Sequence, residues 1–263
     1  MLPNIWEPLG ALLLEDLGYP AIATASASLA YTNGYADGEN ISFEDVLPQL
    51  ARIAQSVSVP VSADIEKGYA DNLAQLEENI SNLIDAGIVG INIEDTDKKT
   101  NLLLPTAVQC EKIRLIKQVS EKKGIPLFIN ARTDVYICDN PFTTGEKLQE
   151  TLARGKAYKE AGAHCFYPIV MKDFHHIKTA VEQLRMPVNI LTLPGIPELK
   201  TLKQIGVTRV SLGPSFLKIA LQAMKKLAEQ LKNDEGLDEI TGNEVTSDYL
   251  KALIGKSQWN TLK

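Results

Sequence analysis

The sequence predicts one α/β domain, a (β/α)8 barrel of the TIM type, from three observations. The chain has 263 residues, a usual length for one such barrel and enough to bury a sizeable core. Eight short apolar runs alternate with amphipathic stretches, the pattern of strand–helix units around a parallel sheet. A glycine follows the helical stretch in Asp16-Leu17-Gly18, Asp85-Ala86-Gly87, Lys123-Gly124, Glu160-Ala161-Gly162 and Gln204-Ile205-Gly206. Each fits the left-handed position that stops a helix.

In chain order the apolar runs are Leu2–Ile5, Ala21–Thr24, Val59–Ala63, Val89–Ile93, Leu127–Ala131, Cys165–Ile169, Val188–Leu191 and Arg209–Leu212. All are short for a helix and fit buried strands. Helical patterns follow them at Leu9–Leu17, Phe43–Ser56, Leu73–Ala86, Thr106–Lys122, Thr144–Ala161, Asp173–Leu184, Pro197–Gln204 and Pro214–Lys232. Residues 1–232 make the barrel. Residues 233–263 fall outside the eight units, being polar, with one more helical candidate at Asn243–Ile254. This tail is expected on another surface or against another subunit.

Composition narrows the partners. The net charge is −6, which argues against a nucleic-acid polyanion. No apolar run is long enough to span a membrane. The N-terminus lacks a basic segment followed by an apolar one, so no secretory signal is expected. Cys110, Cys138 and Cys165 are odd in number and show no CxxC spacing. They read as reduced thiols of a cytoplasmic protein.

Chemistry-bearing residues crowd the carboxyl ends of the strands, where ligands bind in barrels. The second strand leads into Thr24-Ala25-Ser26-Ala27-Ser28 and then Asp37-Gly38; the third ends in Asp64-Ile65-Glu66, the fourth in Glu94-Asp95, the fifth in Arg132-Thr133-Asp134. So many carboxylates cannot all lose water without a cation. An oxygen-rich set of this kind suits Mg²⁺, with Mn²⁺ a possible substitute. Solvated acidic loops or helix N-terminal charges fit the same residues. Arg132 presents a fork suited to a carboxylate or phosphate. It can also pair with Asp134 or Glu94 at the barrel rim, and the two roles are compatible. Asn189 interrupts an apolar strand and needs a partner or a ligand.

Four segments resemble the isocitrate lyase / phosphoenolpyruvate mutase superfamily over nearly the whole chain. They are Ala23–Ser28 with Asp37-Gly38, Ser62–Tyr69, Gly87–Asp95 and Ile129–Asp134. The resemblance implies a (β/α)8 barrel whose last helix is exchanged between subunits of a dimer or tetramer. It implies that Asp64 binds Mg²⁺ directly, with Asp37, Glu66 and Glu94 holding it mostly through water. Ser26 and Ala27 would receive an α-oxo-carboxylate, and Arg132 would stabilise an oxyanion. The implied activity is a lyase acting on a small α-keto or 2-hydroxy acid through a pyruvate enolate. Such a substrate resembles oxaloacetate or phosphonopyruvate. Family members usually carry a short helix and loop before the first strand, which here begins at Leu2.

Departures from the family pattern narrow the chemistry. The lyases carry a Cys-Gly-His loop after the fourth strand. Here the loop is Asp95-Thr96-Asp97-Lys98-Lys99-Thr100-Asn101-Leu102-Leu103, with no thiol. It is similar to the Lys-Thr-Asn-Ser gating segment of phosphonate mutases, with Lys99 and Asn101 matching and Leu102 in place of Ser. Lys99 is expected to neutralise a distal anion and Asn101 to position it, unless the loop is merely an exposed one. After the sixth strand, Phe166-Tyr167-Pro168-Ile169 lacks both the mutase histidine and the lyase glutamate. Cys110 lies on a helix and fits a small buried side chain. Three other readings remain. One is a phosphonate mutase or hydrolase of the same superfamily. Another is a barrel enzyme holding phosphate at Leu212-Gly213-Pro214-Ser215. The last is a non-catalytic assembly protein. Assembly is expected because Pro214–Lys232 carries a wide apolar stripe, and the tail adds Tyr249, Leu250, Leu253, Ile254 and Trp259.

Overall fold

The computed structural model describes residues 1–257. Its barrel strands are β1 (Asn4–Ile5), β2 (Ile22–Thr24), β3 (Val61–Asp64), β4 (Gly90–Ile93), β7 (Phe128–Thr133), β8 (Cys165–Pro168), β9 (Asn189–Leu191) and β10 (Arg209–Ser211). The first six pair in parallel in that order, and β9 pairs with β10. Parallel bridges Phe166↔Val188 and Leu2↔Ser211 join the two groups, so the eight strands close as expected. Between β4 and β7 lie β5 (Thr96–Asp97) and β6 (Leu102–Leu103), an antiparallel hairpin.

Helices α1 (Pro8–Asp16), α3 (Phe43–Ser56), α4 (Leu73–Asp85), α5 (Thr106–Lys123), α6 (Thr144–Ala161), α7 (Phe174–Leu184), α8 (Leu199–Gln204) and α9 (Ser215–Leu231) follow the barrel strands. Local chemistry sets their ends. Ser42, Asn72 and Asp173 cap α3, α4 and α7 with side-chain acceptors. Thr143 and Glu146 form a capping box at α6, satisfying two orphan N–H groups. Gly124 and Gly162, at φ 68° and 110°, end α5 and α6 in the left-handed conformation. Two helices were not expected: the short α10 (Leu237–Thr241) of the tail and α2 (Ser26–Thr32). Of these, α2 borders the strand ends. It has no side-chain cap, and its start is too small and polar to show a helical period. Burial of Leu29 and Ala30 holds it down.

Apolar strand residues such as Ile22, Ile91, Ile129 and Ile190 are fully buried in one continuous core. Alternating with them on the strands is a buried polar set. Asn130 donates to Asn92 Oδ1 at 2.9 Å, and Asn92 donates to Asp64 Oδ1 at 2.8 Å. The barrel interior thus feeds hydrogen bonds upward to a carboxylate at the strand ends.

The tail forms α10 (Leu237–Thr241) and α11 (Ser247–Gly255). Helix α11 packs on α1 of the same chain, burying Leu253 and pairing Lys256 with Asp16. Helix α9 buries only Leu217, while Ile219, Leu221, Met224 and Leu231 are exposed. Trp259 lies outside the described residues. No helix among the described residues is long and apolar enough to cross a membrane.

Candidate active site

A cavity of about 270 Å³ opens at the carboxyl ends of the barrel strands, lined by Ser26, Ala27, Asp37, Asp64, Arg132 and Arg209 among others. Asp64 ends β3 and is held from three sides. It accepts from Ser26 N at 3.2 Å, Ser26 Oγ at 2.8 Å and Asn92 Nδ2 at 2.8 Å. Its own N–H donates to Thr24 Oγ1 at 3.0 Å. Asp37 faces the same cavity. Although Asp37 lies in an exposed loop, partial desolvation at the cavity raises its carboxyl above the usual range, and the nearby Asp64 charge adds to that. Two carboxylates facing one small space call for a proton or a cation between them.

Glu66 and Glu94 stand behind this pair and do not line the cavity. Glu66 Oε1 accepts from Glu39 N at 2.9 Å, and Oε2 lies 3.4 Å from Lys98 Nζ. Burial pushes Glu66 up to about 7. Glu94 is fully buried, and neither carboxylate oxygen makes a well-formed hydrogen bond. Two ion pairs hold it: Arg132 Nη1 lies 2.6 Å from Oε2, and Lys98 Nζ touches Oε1. Burial pushes Glu94 up, and Arg132 and Lys98 pull it back down.

Among the described residues, no three carboxylate, histidine or cysteine groups close directly on one point. The donor set still fits Mg²⁺, which keeps several waters and takes one or two direct carboxylates. Asp64 could supply a direct oxygen and Asp37 one through water, with the Glu94 carboxylate, paired to Arg132 and Lys98, one layer back.

Arg132 makes both ion pairs foreseen for it. Its Nε and Nη2 donate to Asp134 at 2.6 and 3.1 Å, and Nη1 meets Glu94. It faces the cavity while locked in this fork. Asp95, grouped with the cation carboxylates in the sequence, points the other way. It accepts from Thr133 Oγ1, Asp134 N, Arg154 Nη1 and Tyr158 OH at 2.6–3.0 Å. Neighbours on an extended chain face opposite sides, so Glu94 turns to Arg132 and Lys98 and Asp95 ties the strand end to α6.

Lys99 and Asn101 do not face the cavity. They sit at the hairpin tip, where the Lys99 side chain is 81% exposed and 4.0 Å from Asp71. Asn101 has φ 54°, and its carbonyl accepts from Asp139 N at 3.0 Å. The lysine that reaches the carboxylates is Lys98, one residue earlier. The loop's composition pointed to this region, but only the hairpin register chooses between adjacent lysines. Asn189 is fully buried and does not line the cavity; its partner is Ser211, bonded in both directions at 2.9 and 3.1 Å. The phosphate cradle at Leu212–Ser215 is already taken, because the N–H groups of Leu212 and Gly213 donate to Asn4 Oδ1 at 2.7 and 3.2 Å.

Sequence reasoning missed Arg209. It lines the cavity, and no carboxylate pairs with it among the described residues. Its bond to Ser211 Oγ is long, at 3.4 Å. A charge heading an apolar strand was the available signal. No cysteine or histidine lines this cavity. All three cysteines are buried and unpaired, and burial raises each thiol, Cys165 to about 12.

The sequence model of phosphoenolpyruvate phosphomutase matches residues 1–232. The chain belongs to this family. An uncharacterised protein of Mycobacterium tuberculosis is 30% identical over 237 residues, covering 90% of this chain and 86% of that one. Oxaloacetate decarboxylase 2 of Pseudomonas fluorescens is 24% identical, covering 94% of this chain and 84% of its own. A proposed phosphonomutase of Burkholderia cenocepacia has a solved structure at TM-score 0.80 and 34% identity, covering 88% of this chain and 92% of that one. Two further structures share the fold at 23% identity. One is 2,3-dimethylmalate lyase, a PEP mutase/isocitrate lyase superfamily member, with TM-score 0.82 and 97% and 88% coverage. The other is phosphonopyruvate hydrolase in complex with oxalate and Mg²⁺, with TM-score 0.83 and 97% and 89% coverage. The protein is therefore an enzyme of the PEP mutase/isocitrate lyase superfamily.

Proposed function

We propose that this enzyme is a Mg²⁺-dependent lyase that cleaves the C3–C4 bond, one carbon removed from the keto group, of a small α-keto acid of the oxaloacetate type. The observation that carries the reading is the cavity itself: Asp37 and Asp64 face one 270 Å³ space with Arg132 and Arg209. The acids favour a divalent cation, and the arginines favour an anionic substrate. The oxaloacetate decarboxylase likeness points to the same substrate class.

When bound, Mg²⁺ supplies Lewis-acid polarisation of the keto oxygen. Asp64 would hold it, with Asp37, Glu66 and Glu94 assisting through water; Mn²⁺ suits the same oxygens. At the start of α2, Ala27 would orient the substrate carboxylate, and Ser26, whose N–H and hydroxyl donate to Asp64, would join it once Asp64 turns to the cation. Arg132, fixed by Asp134 and Glu94, places positive charge where negative charge develops on the keto oxygen, without reorganising during the reaction. For oxaloacetate, the C3–C4 pair moves into the enolate, CO₂ leaves, and C3 then takes a proton to give pyruvate. Lys99 and Asn101 reach the substrate only if the hairpin swings inward, a gating motion known for barrel loops.

A second reading is cleavage or rearrangement of a phosphonate. It is favoured by the Lys99-Thr100-Asn101 segment and by the phosphonomutase likeness. One assay separates the two. With Mg²⁺ present, pyruvate is measured from oxaloacetate, phosphonopyruvate and 2-methylisocitrate, and phosphoenolpyruvate from phosphonopyruvate. Pyruvate from oxaloacetate alone is the expected result. Pyruvate or phosphoenolpyruvate from phosphonopyruvate alone transfers the assignment to the second reading. Turnover of methylisocitrate near 10 s⁻¹, about the median for enzymes, defeats the argument from the missing thiol.

The reading includes a cytoplasmic homo-oligomer, a dimer or tetramer, with residues 233–263 and the exposed face of α9 at the interface. Ile219, Leu221 and Met224 on α9 and Leu237, Ile240 and Ile254 in the tail are exposed in the single chain, which supports it. Sedimentation as a 28.8 kDa monomer at micromolar concentration excludes this part.

A further inference from the structure

Two loops far apart in sequence grip each other by reciprocal carboxylates. Glu39 lies in the loop that carries Asp37. Its Oε1 accepts from Lys67 N at 3.0 Å and Tyr69 N at 2.8 Å. In return, Glu66 Oε1 accepts from Glu39 N at 2.9 Å. The Glu39 side chain is 9% exposed, and its Oε2 lies 3.7 Å from Lys67 Nζ. Glu39, Glu66 and Tyr69 all sit at positive φ, 58°, 49° and 51°. Residues with a Cβ are rarely found there, and such positions persist only where surrounding contacts impose them.

Those contacts are all present. Glu94 N donates to Glu66 O at 2.8 Å. Asn79 Nδ2 donates to Gly68 O and Tyr69 O at 3.1 and 2.9 Å, and Lys112 Nζ donates to Lys67 O. The carbonyls of the loop are thus served from α4 and α5, inside the barrel scaffold. The Lys67 and Tyr69 amides are served by Glu39 alone, across 28 and 30 residues of sequence. Loss of Glu39 strands two donors of a buried loop and frees the Asp37 loop together.

We propose that Glu39 is a positioning residue that docks the Asp37 loop on the Asp64–Tyr69 loop and thereby sets the affinity of the cation site. The inference rests on the proposed role of Asp37 and Asp64 in holding a divalent cation. Asp37 lies two residues from Glu39, so its approach to Asp64 follows the docking. Glu66 is placed by the same grip. The clamp needs an acceptor oxygen of the right reach rather than a negative charge, because one oxygen serves both amides.

The test is calorimetric titration of the full chain with Mg²⁺, alongside amide hydrogen exchange without metal. Glu39→Ala is expected to weaken Mg²⁺ binding at least tenfold and to speed exchange in residues 35–40 and 65–69. Glu39→Gln keeps the acceptor and is expected within threefold of wild type. A folded Glu39→Ala that binds Mg²⁺ as wild type does, whatever its melting temperature, overturns the proposal. If that variant fails to fold, Glu39→Asp replaces it, one methylene short, with weaker binding expected and wild-type binding overturning. If the wild type itself binds no Mg²⁺, the cation reading fails; exchange then decides the clamp separately, unchanged rates refuting it.

Discussion

The segments that follow β3 and β4 border one site and are held in opposite ways. In Asp64–Tyr69, side chains from four other segments, Thr24, Glu39, Asn79 and Lys112, capture the backbone, and Ile65 and Glu66 are buried. In the β5–β6 hairpin, the tip residues Lys99, Thr100, Asn101 and Leu102 are exposed, and the contact from Lys99 to Asp71 is a surface ion pair, worth little. The first arrangement suits groups that must hold still, since ligand geometry must be fixed before substrate arrives. The second suits groups that must move to meet substrate. Lys98 joins the two. It lies in the hairpin yet contacts Glu94 and Glu66, so the hairpin is anchored on the carboxylates at its base, while its exposed tip is held by the bond from Asp139 N to Asn101 O and the surface pair to Asp71.

The largest expected effect breaks the fixed half. Asp64→Ala is expected to abolish turnover and measurable Mg²⁺ binding together, by activity assay and calorimetry. Unchanged Mg²⁺ affinity would sink the assignment of Asp64. Next, Arg132→Lys keeps the charge but loses the fork to Asp134 and Glu94. A fall in kcat of about 10²–10³-fold is expected, the usual cost of losing one oxyanion donor, with Mg²⁺ affinity little changed.

Third, Arg154→Met leaves Asp95 buried without its cation. Breaking a buried pair in this way costs about 3–5 kcal/mol, so denaturant unfolding should show a large loss of stability. The expected kinetics of the molecules that remain folded are near wild type. A catalytic defect without instability would mean that Asp95 belongs to the site after all.

A smaller effect is a pH dependence. Burial pulls the Lys112 ammonium down to about 8, from an ordinary 10.5. Between those values the unfolded chain holds a proton that the folded chain has released, so this group makes stability rise with pH. The stability difference between wild type and Lys112→Met should therefore grow in favour of wild type from pH 8 to 10.5. A flat difference shows that Lys112 keeps its proton when folded. The smallest effect tests the mobile half. Lys99→Ala is expected to raise KM roughly tenfold with Mg²⁺ affinity unchanged, about one lost charge-assisted contact. An unchanged KM would mean that the tip stays where it is seen.

Local and periodic features were legible in the sequence. All eight strands lie where the apolar runs placed them, and the strand-end positions of Asp64, Glu94 and Arg132 followed from that. Helix α2 was not legible, because a capless helix is stabilised by what it packs on rather than by its own period. The hairpin was not legible either, since two-residue strands carry no alternation to detect.

The sequence by itself determined the strand–helix order, the end of the barrel at which carboxylates gather, and the presence of an arginine among them. Hydrophobic period and strand polarity are properties of the chain alone. Which carboxylate faces inward, which lysine reaches it and which polar group already has a partner were decided only by the tertiary structure. Glu94 and Asp95 are adjacent and chemically alike, as are Lys98 and Lys99. Asn189 was an open question until Ser211 stood beside it. Side-chain roles of this kind depend on register and on neighbours from distant segments. A carboxylate becomes a structural anchor or a site group according to the donors that the fold brings within about 3 Å of it.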